Sequence, residues 1–226
     1  MGGLTPLTTT DYPGQLAAVV FCQGCPWRCG YCHNPHLIPR DGDAAGWADV
    51  LSFLRRRQGL LDAVVFSGGE PTLQSGLLEA CTTVREMGFK VGLHTAGTYP
   101  ERLAAVLPVL DWVGMDIKAP FASYDRITQV PGSADRARES LSLLLQSGVE
   151  YEIRTTLHAG LLSHAQVLEL AHELAGAGVR DFVLQAFRTQ GCAEPLLCRG
   201  DGGNYSWDLL RSELNAMFPR FSIRSA

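Results

Sequence analysis

The chain has 226 residues, of which 46% are hydrophobic and 19% charged. This composition excludes an intrinsically disordered chain, and the length suits a single domain covering residues 1–226. The net charge of −4, with no run of basic residues, argues against a nucleic-acid partner.

The amino-terminal residues predict neither export nor membrane insertion. Residues 1–14 lack the basic and apolar segments of a signal peptide, and the apolar run Leu16–Cys22 is far shorter than the roughly 20 residues that span a bilayer. We therefore expect a cytoplasmic protein without membrane contact. Because that compartment is reducing, the seven cysteines are expected to be metal ligands, reactive groups or buried thiols rather than disulfides.

Short apolar runs alternate with amphipathic segments along most of the chain. The runs are mostly rich in β-branched residues, which is typical of strands buried on both faces. The predicted strands are Leu16–Cys22, Ala63–Ser67, Val91–Thr95, Trp112–Ile117, Tyr151–Thr156 and Asp181–Gln185, and Phe221–Arg224 is a candidate for a short final strand. The predicted helices are Trp47–Arg57, Leu73–Met87, Glu101–Leu107, Asp135–Gln146, Ser163–Ala177 and Ser206–Met217. Ser163 and Gln166 have the spacing of a capping box at the start of the fifth helix.

Six successive strand–helix units predict the α/β class, with a parallel sheet covered by helices. A complete eight-unit barrel takes about 250 residues, so six units fit an open partial barrel or a doubly wound sheet. Both architectures place chemistry at the carboxyl ends of the strands. All six predicted strands end in polar, glycine-rich or cysteine-rich sequence, so we expect these segments to converge at one edge of the sheet.

The segment after the first predicted strand contains a dense group of cysteines. Cys25, Cys29 and Cys32 follow a C-x3-C-x2-C pattern, and Cys22 precedes them by one C-x2-C step. Buried structural thiols are disfavoured because the loop is rich in Gly, Pro and Arg. A zinc site would be cramped, since four-cysteine zinc sites usually separate their two pairs by a dozen or more residues. An iron–sulfur cluster is the third interpretation, in which three thiolates would leave one iron of a cubane open to a second molecule.

The cysteine pattern, with Tyr31 before its last cysteine, resembles the signature of the radical S-adenosylmethionine superfamily. The wider sequence GCPWRCGYCHNP resembles the cluster loop of glycyl-radical-enzyme activating proteins, particularly those of anaerobic ribonucleoside-triphosphate reductase. The segments DYPG (11–14), FSGGEP (66–71), MDIKAP (115–120) and EIRTT (152–156) extend the likeness. It implies that Cys25, Cys29 and Cys32 hold a [4Fe–4S] cluster that cleaves S-adenosylmethionine reductively to methionine and a 5′-deoxyadenosyl radical. With it we predict a partial (β/α)6 TIM-like barrel, open on one side.

The resemblance also implies a set of cofactor-binding residues. Gly68, Gly69 and Glu70 match the motif that cradles the methionine amino group, although a tight turn with a helix-capping carboxylate would have the same sequence. Lys118 would approach the cofactor carboxylate and Asp116 the ribose or a neighbouring charge, the alternative being a structural ion pair. The remaining predicted contacts are Tyr31, Thr95, Arg154 and Gln185.

Several further expectations concern the surroundings of this site. His94 stands where a related activating enzyme has an aspartate that helps bind a monovalent cation, so we expect that cation site to be lost and His94 to be structural. Cys81 is expected in the core, and Cys192 and Cys198 are weak candidates for metal ligands. Because the additional cysteine-rich insert of some activating enzymes is missing, we expect one cluster only.

The leading functional hypothesis is an activating enzyme that installs a glycyl radical on a partner, most specifically anaerobic ribonucleotide reductase. Flavodoxin or ferredoxin would supply the electron, and the DYPG segment is a candidate for partner docking. The alternative is a small radical enzyme acting on a free metabolite, similar to 7-carboxy-7-deazaguanine synthase. A zinc-stabilised interaction protein without catalysis is the third hypothesis.

Overall fold

A computed structural model describes residues 1–41, 46–199 and 205–224. Its eight strands form one sheet in which spatial order equals chain order. The strands are β1 (Gly3–Thr8), β2 (Ala17–Cys22), β3 (Ala63–Gly68), β4 (Lys90–Thr95), β5 (Trp112–Asp116), β6 (Glu150–Leu157), β7 (Asp181–Ala186) and β8 (Arg220–Arg224). The helices are α1 (Trp47–Arg55), α2 (Leu77–Glu86), α3 (Pro100–Val106), α4 (Tyr124–Thr128), α5 (Ser133–Ser147), α6 (His164–Gly176) and α7 (Trp207–Asn215).

The strand order decides between the two predicted architectures. Strands β2 to β8 are parallel and each pairs with its successor in the chain. A doubly wound sheet would reverse direction part-way, whereas a sheet wound in one sense curls toward a barrel. In the described part of the chain β1 and β8 form the two edges and do not pair with each other. The predicted open, partial barrel is therefore confirmed.

The structure contains two elements beyond the six predicted units, one at each edge. The candidate final strand is present as β8, which makes seven parallel strands. The prediction omitted β1, which pairs antiparallel with β2. Its sequence GLTPLT lacks an apolar alternation and contains Pro6. Proline is tolerated on an edge strand, where its missing N–H group is not needed by a neighbour.

The two faces of the sheet differ in chemistry. The helix-covered face carries the main core, to which β2 contributes Val20 and β3 Val64, both fully buried. The inner face has a small apolar cluster near the amino ends of the strands, where Tyr12 stacks on Trp112 with ring centroids 5.1 Å apart. Farther along, the same face becomes polar. Side chains alternate between the two faces of a strand, so every second residue of a strand lies on the inner face.

The helices follow the predicted segments with shifts at their ends. In α6, Ser163 Oγ accepts from Gln166 N and Gln166 Oε1 accepts from Ser163 N, which confirms the capping box. Helix α2 begins at Leu77 rather than Leu73 because residues 71–73 form a separate 3-10 turn. The short helix α4 was not predicted. In the described ranges, no helix is both long enough and apolar enough to span a membrane.

Candidate active site

The segment of residues 23–34, named here the cysteine loop, leaves the carboxyl end of β2 without regular structure. Backbone hydrogen bonds fix it instead. Gly24 N donates to Leu37 O at 2.7 Å, and Arg28 N donates to Thr128 O at 2.9 Å. Trp27 is buried and meets the ring of Tyr124 edge-on at 5.8 Å. The loop is therefore tied to the turn of residues 35–37 and to helix α4 by backbone hydrogen bonds and one aromatic contact.

The four cysteines of this region fall into two environments. Cys25, Cys29 and Cys32 are half-buried on the loop, whereas Cys22 is buried on the helix-covered face of β2. Burial raises the pKa of both Cys22 and Cys25 to about 12. Burial also raises the pKa of Cys29, although the nearby Lys118 ammonium opposes this shift. The thiols of Cys25 and Cys29 are therefore protonated until a bound metal displaces their protons.

The arrangement of the possible metal ligands distinguishes a zinc site from an iron–sulfur cluster. Within residues 1–41, 46–199 and 205–224, no three Cys, His, Asp or Glu side chains lie close enough together to bind one metal ion. A single zinc ion needs its sulfur ligands at about 2.3 Å, so the geometry does not fit zinc. A cubane spreads its thiolate ligands over separate irons, and three half-buried thiols on one loop fit that requirement.

Gly68 and Gly69 lie in close contact with the end of β2 and the start of the cysteine loop, respectively. A Cβ atom on Gly68 would lie 2.4 Å from Cys22 N, and one on Gly69 would lie 2.2 Å from Gly24 O. Gly68 also has φ +114°, a conformation that favours glycine. Glu70 N donates to Gly24 O at 2.8 Å. These glycines are therefore required for seating the cysteine loop, whatever the bound cofactor contacts.

The Glu70 carboxylate is completely buried and binds four protein donors. Its Oε1 accepts from Thr72 N at 3.0 Å, from Thr72 Oγ1 at 2.6 Å and from Thr95 Oγ1 at 2.7 Å, and its Oε2 accepts from Ala96 N at 2.9 Å. Burial raises the pKa of Glu70, and the donors from Thr72 and Thr95 oppose the shift. The carboxylate therefore ties the turn after β3 to the end of β4.

A group of charged side chains lies on the inner face at the end of β5. Asp116 accepts from Arg154 Nε at 2.9 Å and lies 3.6 Å from Lys118 Nζ. Burial opposes ionisation of Asp116, but the cations of Arg154 and Lys118 lower its pKa below the ordinary value. Gly114 makes room for the guanidinium, because a Cβ there would lie 2.7 Å from Arg154 Nη1. Asp116 is thus paired with two cations of the protein itself.

The Lys118 ammonium is only loosely paired within the protein. Its Nζ lies 5.6 Å from the centroid of the buried Tyr31 ring. Burial alone would lower the pKa of Lys118, but Tyr31 and Asp116 raise it above its ordinary value, so the side chain is cationic. The distance of 3.6 Å to Asp116 is too long for a good hydrogen bond. An anionic ligand could therefore bind here.

Two other predicted cofactor contacts, Thr95 and Gln185, lie at the ends of β4 and β7. Thr95 uses its hydroxyl within the protein, donating to Glu70 and accepting from Gly97 N at 2.9 Å. This arrangement favours a positioning role for its side chain over a ribose contact. Gln185 is half-buried near the end of β7, in register with Thr156 on β6.

One inner-face ion pair was missed by sequence reasoning. Glu152 and Arg224 form a two-pronged ion pair with N–O distances of 2.7 and 2.6 Å. The alternation of β6 places Glu152 on the face of Arg154, so the strand pattern carried that signal. Its partner on β8 could not be read from the pattern of one strand.

His94 is a structural histidine, in agreement with the expectation. Its Nε2 lies 2.8 Å from Asp11 O, and its Nδ1 lies 3.3 Å from Ser67 Oγ. A carbonyl oxygen only accepts, so Nε2 carries the proton and Nδ1 accepts from the serine. His94 therefore holds the segment before β2 against the inner face of the sheet.

The burial of His94 predicts that acid destabilises the fold. Burial, with Arg154 second, lowers the pKa of His94 from 6.5 to about 3, so the unfolded chain binds the extra proton between these values. The contribution of neutral His94 to the free energy of unfolding should be fully present above pH 6.5. From pH 7 to pH 5 the free energy of unfolding should fall by at most about 2 kcal/mol. Urea unfolding at both pH values measures this. His94→Gln can still donate to Asp11 O but does not titrate, so an equally steep pH dependence in that variant would contradict the assignment.

The family model for the radical SAM superfamily matches residues 19–174. The chain belongs to this superfamily. A [4Fe–4S] cluster and S-adenosylmethionine are therefore its cofactors, as the resemblance implied. The cysteine loop, the glycine pair and the end of β5 all fall inside the matched region of this radical SAM enzyme.

Individual relatives within the superfamily include activating enzymes and an enzyme named for a small-molecule product. A protein of Methanocaldococcus jannaschii named as a glycyl-radical enzyme activating enzyme is 29% identical over 76% of this chain and 73% of its own length. The pyruvate formate-lyase-activating enzyme of Clostridium pasteurianum is 37% identical over 48% of each chain. The 7-carboxy-7-deazaguanine synthase of Methanopyrus kandleri is 32% identical over 48% of this chain and 52% of its own. The chain thus spans about half the length of the latter two relatives.

A solved structure supports the fold independently. The SuiB protein of Streptococcus suis, in its structure with S-adenosylmethionine, superposes with a TM-score of 0.69 at 15% identity. The match covers 92% of this chain and 49% of that one. At this level of identity the likeness concerns the fold, and it agrees with the open partial barrel.

Proposed function

We propose that this protein is an activating enzyme that generates a glycyl radical on anaerobic ribonucleoside-triphosphate reductase. The observation that carries the proposal is an open barrel whose polar inner face leads to the cysteine loop, in a chain with activating enzymes among its relatives. A barrel left open between β1 and β8 can take the missing part of its wall from a macromolecule. The glycine loop of a partner enzyme suits such an opening.

The contacts of the site suggest a role for each of its residues. Cys25, Cys29 and Cys32 would hold the cluster, which when bound supplies the electron that cleaves S-adenosylmethionine. Lys118 would bind the cofactor carboxylate, because its cation is sequestered from water and only loosely paired with Asp116. A charge-assisted hydrogen bond of this kind contributes roughly 1.5–3 kcal/mol.

The remaining residues would orient the cofactor and align the site. Tyr31 contributes the wall beneath Lys118, and Gln185 and the backbone of Tyr31 are proposed to meet the adenine. Arg154 keeps Asp116 ionised and holds it at the end of β5. The Glu70 and Thr95 pair would act indirectly, by fixing the backbone of the two strand ends.

Partner docking is proposed at the exposed tip of the DYPG segment. Tyr12 is buried against Trp112, and Asp11 O is bound by His94, so this half of the segment belongs to the core. Pro13 and Gly14 remain exposed. We propose that a small electron carrier, flavodoxin or ferredoxin, approaches the cysteine loop itself, where the side chain of Arg28 is exposed.

Mixing the reduced, cluster-loaded protein with S-adenosylmethionine and the reductase under anaerobic conditions should produce a glycyl radical. Electron paramagnetic resonance measures the radical, and chromatography measures an equal amount of 5′-deoxyadenosine. A reductase whose radical-bearing glycine is replaced by alanine is the matched control and should remain silent. If 5′-deoxyadenosine forms but no glycyl radical enzyme of the host acquires a radical, the proposal fails.

One observation favours a second candidate, a radical enzyme acting on a free metabolite. The relatives include a 7-carboxy-7-deazaguanine synthase of similar identity and coverage. Incubation with a free small-molecule precursor of 7-carboxy-7-deazaguanine separates the candidates, because only a metabolite enzyme would consume it in the absence of a partner protein.

A further inference from the structure

The segment of residues 189–198, named here the strap, lies against the cysteine loop after β7. His33 Nε2 lies 2.9 Å from Arg188 O, immediately before the strap. Gly191 packs on the same histidine, because a Cβ there would lie 2.5 Å from His33 O. At the other end of the strap, His158 Nε2 lies 3.1 Å from Leu197 O. The strap is therefore seated on the cysteine loop at one end and on the barrel at the other.

Two thiols of the strap belong to neither the core nor the cluster ligand set. Cys192 Sγ donates to Gly30 O at 3.6 Å, and Gly30 lies between two of the proposed cluster ligands. Cys198 N donates to Glu194 O at 3.2 Å, which closes a turn and brings Cys198 back toward Cys192. Cys198 Sγ then lies 3.5 Å from Cys192 O. One thiol thus holds the cysteine loop while the second thiol lies beside it.

We propose that Cys192 and Cys198 form a reversible disulfide and are the oxidation site of this protein. Oxidised glutathione or another low-molecular-weight disulfide would be the oxidant. One thiolate of the cysteine pair attacks the S–S bond of the oxidant, forms a mixed disulfide with it and releases one reduced thiol. The second protein thiolate then attacks the mixed disulfide and releases the other. The protein loses two hydrogen atoms, and the oxidant gains them as two thiols.

Closing this disulfide would change how the strap holds the cysteine loop. A disulfide sulfur carries no hydrogen, so Cys192 could no longer donate to Gly30 O. A bond of about 2.05 Å between the sulfurs would also pull the two ends of the turn together. We infer that oxidation loosens the segment between Cys29 and Cys32, whereas reduction restores the contact.

The experiment uses anaerobically reconstituted, cluster-loaded protein equilibrated in mixtures of reduced and oxidised glutathione. After alkylation of the remaining thiols, trypsin cleaves at Arg188 and Arg199, so both cysteines fall in the peptide of residues 189–199. Oxidised protein should release this peptide unalkylated and lighter by two hydrogen atoms. Reduced glutathione should return it to the doubly alkylated form.

Hydrogen exchange of the cysteine loop provides the second readout. Exchange across residues 28–34 should become faster on oxidation of the natural protein but stay unchanged in Cys192→Ser, whose hydroxyl can still donate to Gly30 O but cannot form a disulfide. A Cys192 disulfide to a cluster cysteine, or no intramolecular disulfide at any glutathione ratio, would overturn the proposal. So would a disulfide that forms without any change in loop exchange, because the strap would then not hold the loop through Cys192. None of these readouts depends on the partner enzyme.

Discussion

Replacing Cys25, Cys29 or Cys32 by alanine is expected to abolish cluster assembly, whereas replacing Cys22 should leave it intact. Anaerobic reconstitution of the natural protein should give about four irons and four sulfides per chain. Each of the three loop variants should lose nearly all of this iron, because two thiolates cannot hold a cubane that already has one open iron. Iron and sulfide analysis, together with the charge-transfer absorption of the cluster, measures the outcome.

Cys22→Ala is the matched control for these variants because it removes a thiol from the same short segment. Cys22 is buried on the helix-covered face, so its sulfur cannot turn toward the loop without leaving the core. If Cys22→Ala loses the cluster while Cys25→Ala keeps it, the ligand assignment is wrong. A second control, Cys192→Ala, should retain iron, since its thiol is bound to the Gly30 carbonyl.

The sequence predicted the central six strands because they are short runs, mostly rich in β-branched residues, that end in polar sequence. The family resemblance also named Asp116 and Arg154 as site residues, and the structure joins them at 2.9 Å. The edges were harder. Strand β1 depends on pairing with β2 rather than on its own composition, and the five-residue helix α4 is too short to show a period. Local patterns therefore reveal elements that the core stabilises and miss those that their neighbours stabilise.

The candidate site shows the same division. The cysteine spacing predicts the cluster ligands, because the ligands of one loop are local in sequence. The acceptor role of Glu70 involves residues on two other elements, and the hydrogen bond of His94 reaches back across the sheet to Asp11. Such long-range contacts leave no trace in spacing. The Glu70 motif was recognisable as a motif, but the donors to its carboxylate were not.

Lys118→Ala is expected to weaken cofactor binding without unfolding the protein. Asp116 keeps its closer partner Arg154 at 2.9 Å, so no buried charge is left unpaired. Loss of one charge-assisted hydrogen bond, roughly 1.5–3 kcal/mol, corresponds to about a tenfold to 150-fold weaker affinity for S-adenosylmethionine. This variant is the reference for the corresponding test of Glu70.

Glu70→Ala should instead destabilise the fold by about 4 kcal/mol or more, because its carboxylate satisfies four buried donors and each unpaired donor costs about 1–3 kcal/mol. Glu70→Gln, which keeps the volume and one acceptor oxygen, should lose about half as much. Thermal unfolding of the three variants measures stability, and equilibrium dialysis of the reconstituted proteins measures cofactor affinity. If Glu70 acts through the strand ends, affinity should fall in parallel with stability across the Glu70 variants, whereas Lys118→Ala should lose affinity alone. A Glu70→Ala protein as stable as the natural one but unable to bind the cofactor would show instead that the carboxylate contacts the cofactor directly.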